Sequence, residues 1–523
     1  MTVAATWEKS CRLGHTEAFI CQPPVCVLHL HKMGKGREDD LLVRALQSVY
    51  ARGRPLSVLV TLAISLGVGG VAGAYVALLG PLWATMLAAG TVGGLLMLRS
   101  REFTFLVIIA IICLLPFGSL PLNVGFSPTF LNLALGVLFL VWALRVATGL
   151  QEPWVSSPLS PAVAIFVLLT FGAFVAGLGH AQLSATSLRR FAEIPLGIAV
   201  FFAVLNHVRT RRDLERLTLW LILGGGAAAA IGIVLYVVPQ TLAIRLLSAL
   251  RVFRYPAGPD VLRFIESNPE LPMRAISTSV DPNVLGTLLI ITMGLAAPHL
   301  FAPRPLLGRR WLGGLLLVSG VCLLLTYSRG SLAGLVAGLA LLGVVRYPRA
   351  LAVMVAGGLL LLLLPQTQGY VQHFLEGVRG EDLATQMRFG EYKDAFLLIQ
   401  RYPWLGVGFI DPPDIDLYLG VSCLYLLIAE EMGLVGLGAF LACVVIFFAV
   451  LYDGWRRGGE SPELVPLILG PGVALAAGLV GGVLDHTLFS FSHALTLFWL
   501  VVGLGAVSAR LAREEGGQPA SRE

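Results

Sequence analysis

Charge is scarce in this sequence. Aspartate, glutamate, lysine and arginine make up 13% of the 523 residues, against 56% hydrophobic residues and a mean hydropathy of +0.82. Soluble domains carry roughly 25% charged residues, so the shortage excludes a soluble protein and leaves a polytopic one whose apolar surface is solvated by lipid. A phosphate-binding GxxxxGK[ST] loop is also missing. Gly224-Gly225-Gly226 lies inside an apolar run with no Lys-Ser/Thr after it and reads as close helix packing. The seven cysteines follow no zinc spacing: Cys113, Cys322 and Cys443 sit in apolar runs, and Cys11, Cys21 and Cys26 lie near His15, His29 and His31 without a ligand pattern. No metal and no cofactor is therefore expected. Residues 1–55 hold no sustained apolar stretch, so no cleavable signal peptide is expected either. The net charge of +6 is too small to imply a nucleic-acid partner.

Apolar runs are what the chain has in abundance. They fall at 56–76, 79–98, 103–118, 128–148, 160–180, 190–208, 217–239, 282–301, 311–327, 331–346, 350–365, 421–451, 464–484 and 487–508. The expectation is an all-α integral membrane protein with about 12–14 transmembrane helices and a long extracytoplasmic loop before the last three. With the N-terminus inside, every inner loop carries arginine, for example Arg99, Arg145, Arg209, Arg304, Arg346 and Arg456. That is the positive-inside bias, and it puts both termini in the cytoplasm. The divisions expected are a polar tail at 1–55, helices over 56–239, an outer loop at 240–280, a region 281–508 that includes a second outer loop at 367–420, and a tail at 509–523.

The two outer loops hold most of the polar chemistry. Arg245, Arg251, Arg254, Arg263 and Arg274 fall in the first, and Arg379, Arg388, Arg401, Lys393 and His373 in the second. Arg189, Arg190 and Arg329 lie on short outer connections, against the charge bias. Guanidinium groups grip phosphate through paired, charge-assisted hydrogen bonds. Outside the cytoplasm there is no ATP, so synthesis there needs a pre-activated substrate, and a lipid-linked diphosphate sugar meets both conditions. The other reading stays open, in which these arginines snorkel to lipid headgroups.

Four stretches resemble the O-antigen ligase and O-antigen polymerase superfamily of bacterial membrane glycan transferases. They are Asp281-Pro282-Asn283-Val284-Leu285-Gly286, Leu325-Thr326-Tyr327-Ser328-Arg329-Gly330-Ser331, Arg388 through Phe409, and Glu431-Met432-Gly433-Leu434-Val435-Gly436. The resemblance implies a metal-independent, inverting glycosyl transfer at the outer face of a bacterial inner membrane. Its partners would be a polyprenyl-diphosphate-linked glycan donor, a lipid A-core or other glycan acceptor, and the bilayer. Arg329 and Arg388, with Arg189 and Arg190, would bind the diphosphate, and Glu431 belongs to the catalytic set.

The resemblance departs at one position. A histidine usually precedes the motif glutamate by nine residues, as the base for the acceptor, and here Ser422 and then Cys423 stand there. Asp411, Asp414 and Asp416 are the candidate replacements, with Glu430 and His373 as further options. Asp485-His486 reads either as a second acid–base pair or as a helix end, and Pro403-Trp404 as an interfacial anchor or a sugar platform. Rival functions are a polysaccharide polymerase, a lipid-linked sugar transporter and a catalytically silent glycolipid binder.

Overall fold

Backbone groups in lipid find no water, so apolar runs must satisfy their hydrogen bonds within helices, and the computed structural model of the chain is built that way. It describes residues 88–120, 127–150, 152–179, 183–363, 383–410, 420–458 and 461–517, with isolated positions between 62 and 86 and between 368 and 380. The tail at 1–55 and most of the run at 56–76 lie outside the described residues, whereas most of the run at 79–98 is described. The chain divides into two units, residues 1–89 and 90–523, and the elements labelled here belong to the second.

They begin with α1 (Arg101–Leu114), α2 (Phe130–Ala147), α3 (Ser160–Gly177), α4 (Ala185–His207), α5 (Arg211–Val237) and α6 (Gln240–Ala249). Two short strands follow, β1 (Arg263–Phe264) and β2 (Met273–Arg274), paired antiparallel with Arg263 opposite Arg274. Then come α7 (Pro282–Phe301), α8 (Arg309–Leu325), α9 (Arg329–Val345), α10 (Pro348–Leu363) and α11 (Leu383–Arg401). The last are α12 (Leu424–Gly458), α13 (Val465–Gly481), the single turn α14 (Thr487–Ser490) and α15 (Ser492–Gly517). Every apolar run expected from residue 103 onward carries one of these helices. Six of them, α2, α3, α5, α7, α12 and α15, are long and apolar enough to cross a membrane. The protein is an all-α, multi-pass membrane protein.

Helices α7 and α15 are apolar on all sides, and a helix of that kind must be enclosed by others. They are, at 89% and 94% burial over their apolar windows. Around α7 pack α5, α8, α9 and α13, and around α15 pack α4, α12 and α13. Between membrane helices, small residues let backbones approach. Gly330, Gly334 and Gly338 form such a stripe on α9 against α13, where a Cβ at Gly334 would stand 2.3 Å from the carbonyl oxygen of Ala477.

Ion pairs collect the arginine-rich connections at one end of the bundle. Glu152 pairs with Arg101 and Arg209, Glu102 with Arg216, and Glu463 with both Arg211 and Arg304. Exposed pairs of this kind contribute at most about 1 kcal/mol each, so they mark which loops share a side rather than hold the fold. The TYSRG turn, β2 and the turn after α13 lie at the end of their helices that faces away from these loops.

Helix α11 gives the second long polar interval its structure. Arg388, Glu391, Tyr392, Ala395 and Leu398 recur at helical spacing and share one face. Ala395 and Leu398 are fully buried, and α11 packs on α12. One flank of that face exposes Phe389 and Phe396.

Candidate functional site

The first two motifs build one wall of a cavity. Thr326 ends α8, its hydroxyl donating to the carbonyl of Leu323 at 2.6 Å. Tyr327 then adopts a left-handed φ of 53°, which is uncommon for a large side chain and marks a tight reversal. Arg329 is consequently the first residue of α9, at the mouth of the turn. Asp281 caps α7 by accepting from the backbone N–H groups of Asn283 (2.7 Å) and Val284 (3.2 Å), with Pro282 pre-set for the first helical position. Gly286 lets α7 lie against this turn, since a Cβ there would stand 2.4 Å from the Ser331 Oγ.

Arg274 joins them from β2. Its Nε donates to the Thr326 carbonyl at 2.7 Å and its Nη2 to Asn283 Oδ1 at 3.0 Å, so both motifs orient the same guanidinium. The neighbouring N–H of Ala275 pins the strand to the Leu325 carbonyl at 2.8 Å. Burial pulls Arg274 down to about 10, with Arg329 and Arg388 acting in the same direction and Asp281 and Asp485 opposing. It remains a cation at neutral pH.

The cavity so formed has a volume of about 120 Å³. Arg274, Arg329 and Arg388 line it together with Asn283, Tyr327, Glu266 and Asp485. Three cations from three separate elements converge there. Asp485 is held by Thr487, whose N–H donates to its Oδ1 at 2.7 Å and whose hydroxyl donates to the same oxygen. Burial raises its carboxyl above the ordinary aspartate range, with His486 opposing.

The third and fourth motifs interlock in the same way. Helix α12 is broken at Gly433, where φ is 70°, and the break frees carbonyls that need new partners. Val407 N–H donates to the Glu430 carbonyl at 2.8 Å, Gly408 N–H to that of Glu431 at 3.0 Å, and Leu434 N–H to that of Pro403 at 2.7 Å. Gly406 also has positive φ (71°), and a Cβ there would lie 2.3 Å from the Glu430 carbonyl oxygen. Gly406→Ala is therefore expected to destabilise the protein by roughly 2 kcal/mol or more, combining left-handed strain with an unyielding backbone clash. A melting temperature in detergent equal to the parent's would show that the lock is not formed.

Residues 314–441 match the family model described as O-antigen ligase. This stretch of the chain is similar to the O-antigen ligase family. The matched stretch contains the TYSRG turn, α11, the Pro403–Gly408 turn and the break in α12, while the DPNVLG cap lies outside it. No curated protein matches the chain.

The expected site residues separate into groups. Arg329 and Arg388 share the cavity. Arg190 instead pairs with Glu431, and Arg189 pairs with Glu193 at 2.9 Å within α4. Glu193 also accepts from the Asn132 amide at 2.8 Å. None of these four residues lines the cavity. Asp411, Asp414 and Asp416 lie outside the described residues. Ser422, at the histidine's position, donates its backbone N–H to Glu391 Oε2 at 2.9 Å. Trp404 is 72% exposed. Glu266 is a cavity residue that sequence reasoning did not name, Arg274 stood out from its loop in no way, and Asp485 was one of two readings of its turn.

Proposed function

We propose that this protein transfers a glycan from a polyprenyl-diphosphate carrier to a hydroxyl of lipid A-core or another glycan, on the extracytoplasmic face of a bacterial inner membrane. One observation carries the reading. Three arginines from β2, the start of α9 and α11 meet around one small cavity, where they outnumber its two carboxylates, Glu266 and Asp485, an arrangement that suits a diphosphate. Donors fixed in advance around a leaving group stabilise the negative charge that develops there. Arg274 is held by the Thr326 carbonyl and Asn283, which reduces the reorganisation needed when the anion arrives.

The chemistry is the same whether the acceptor belongs to lipid A-core or to a growing polysaccharide. Ser422 in place of histidine keeps the polymerase reading beside the ligase one. In either case Arg190 and Glu431 act on the fold, by tying α4 to the broken helix α12.

Two measurements test the proposal. A cysteine at Gly380 is expected to react with an impermeant maleimide in intact cells, and one at Gly308 only after lysis. Labelling of Gly308 without Gly380 would place the cavity in the cytoplasm and remove the reading. Purified protein is also expected to bind farnesyl diphosphate, with inorganic pyrophosphate competing; no binding would contradict an anion-gripping cavity.

A further inference from the structure

Transfer to a hydroxyl needs a group to take its proton, and the arginine cavity is poorly placed to supply one. Inversion brings the acceptor oxygen to the side of the anomeric carbon opposite the leaving oxygen. The base must then stand across the sugar from the arginines and not among them. A carboxylate inside the cavity, such as Asp485, would meet the diphosphate instead.

Helix α11 carries a carboxylate next to the cavity but outside its lining. Glu391 lies three residues after Arg388 on the same helix face, where side chains are spaced by about 5–6 Å. Arg388 points into the cavity, so Glu391 lies beside it and one turn along. The Glu391 side chain is partly buried and is oriented by the segment that opens α12: its Oε2 accepts the backbone N–H of Ser422 at 2.9 Å. Its neighbour Tyr392 reaches the Val483 carbonyl at 3.5 Å, next to the turn that bears Asp485. The same face of α11 thus borders the cavity on one side and the segment that opens α12 on the other. A carboxylate whose geometry is fixed by a backbone donor suits general-base work.

We propose that Glu391 is the general base of the transfer, a role that rests on the donor reading given above. The acceptor oxygen attacks the anomeric carbon as its proton passes to the Glu391 carboxylate. The new C–O bond forms while the bond from the anomeric carbon to the diphosphate oxygen breaks. The electron pair leaves with the diphosphate, whose charge Arg274, Arg329 and Arg388 hold. Glu391 then releases the proton to water. No oxidant or metal enters the balance.

The decisive variant is Glu391→Gln. The amide oxygen still accepts from Ser422, so shape and orientation persist while proton acceptance is lost. Vesicles from cells that accumulate the lipid-linked donor report transfer as product on a gel, and purified protein reports farnesyl diphosphate binding. The expected result is parent-like binding with transfer reduced by about 10²–10⁴-fold, and part of the transfer retained in Glu391→Asp. Transfer by Glu391→Gln within about threefold of the parent overturns the assignment. Equal impairment of the Gln and Asp variants overturns it too, because the carboxylate would then not be what matters. Arg329→Ala separates the two levels: if it binds farnesyl diphosphate as the parent does, the donor reading itself fails, whatever Glu391 does.

Discussion

Arg329→Ala is expected to insert and fold normally and to lose glycan transfer by at least about 100-fold, the effect of removing one fixed donor to a developing anion. The residue opens α9 two positions after a left-handed Tyr327, so its backbone position is set by the turn and its side chain enters the cavity beside Arg274 and Arg388. Arg329→Lys keeps the charge and loses the planar fork, so it should remain severely impaired. Arg388→Ala should resemble Arg329→Ala, and the double variant should fall well short of the product of the two losses, because residues that grip one group act as a unit. Complementation of a deletion strain, read as surface glycan on a gel with protein level checked by immunoblot, measures all four. A fully active Arg329→Ala variant would make the arginine an interfacial anchor.

Arg190→Ala is expected to act on stability. The Glu431 side chain is 4% exposed and its charge is met by Arg190 from α4. Removing the arginine leaves a buried carboxylate without its partner, which typically costs about 3–5 kcal/mol. Adding Glu431→Gln should recover most of that loss, because the charge to be buried is gone. A double-mutant cycle on thermal unfolding in detergent gives the coupling directly. If Arg190→Ala leaves the melting temperature unchanged and removes transfer, Arg190 acts on substrate after all, as the family resemblance implies.

Much of this was legible before any coordinates, for physical reasons that also explain what was not. Hydropathy reports burial in lipid, so each apolar run from 103 to 484 returned one helix, and the run at 487–508 returned α14 and α15. The four motifs were visible as interruptions of that pattern, and two of their key arginines, Arg329 and Arg388, do share a cavity. Arg274 was one of five arginines in its loop, and only the β1–β2 pairing and its contacts with Thr326 and Asn283 distinguish it. Asp485 read better as a helix end, since nothing local says that its turn faces β2 and α11. Arg190 and Glu431 are 241 residues apart, and a pair formed across that separation leaves no periodic trace. Gly433 read as part of an apolar run, and only the folded chain reveals that the helix breaks there and takes its new partners from the turn at Gly406.

The central claim is that Arg274, Arg329 and Arg388 form the diphosphate site, and a structure of the protein in lipid nanodiscs with bound polyprenyl diphosphate tests it most directly. The account predicts density for the two phosphates in the cavity between β2, the start of α9 and α11, within hydrogen-bonding distance of all three guanidinium groups. Diphosphate density elsewhere, with that cavity unaltered, would contradict it.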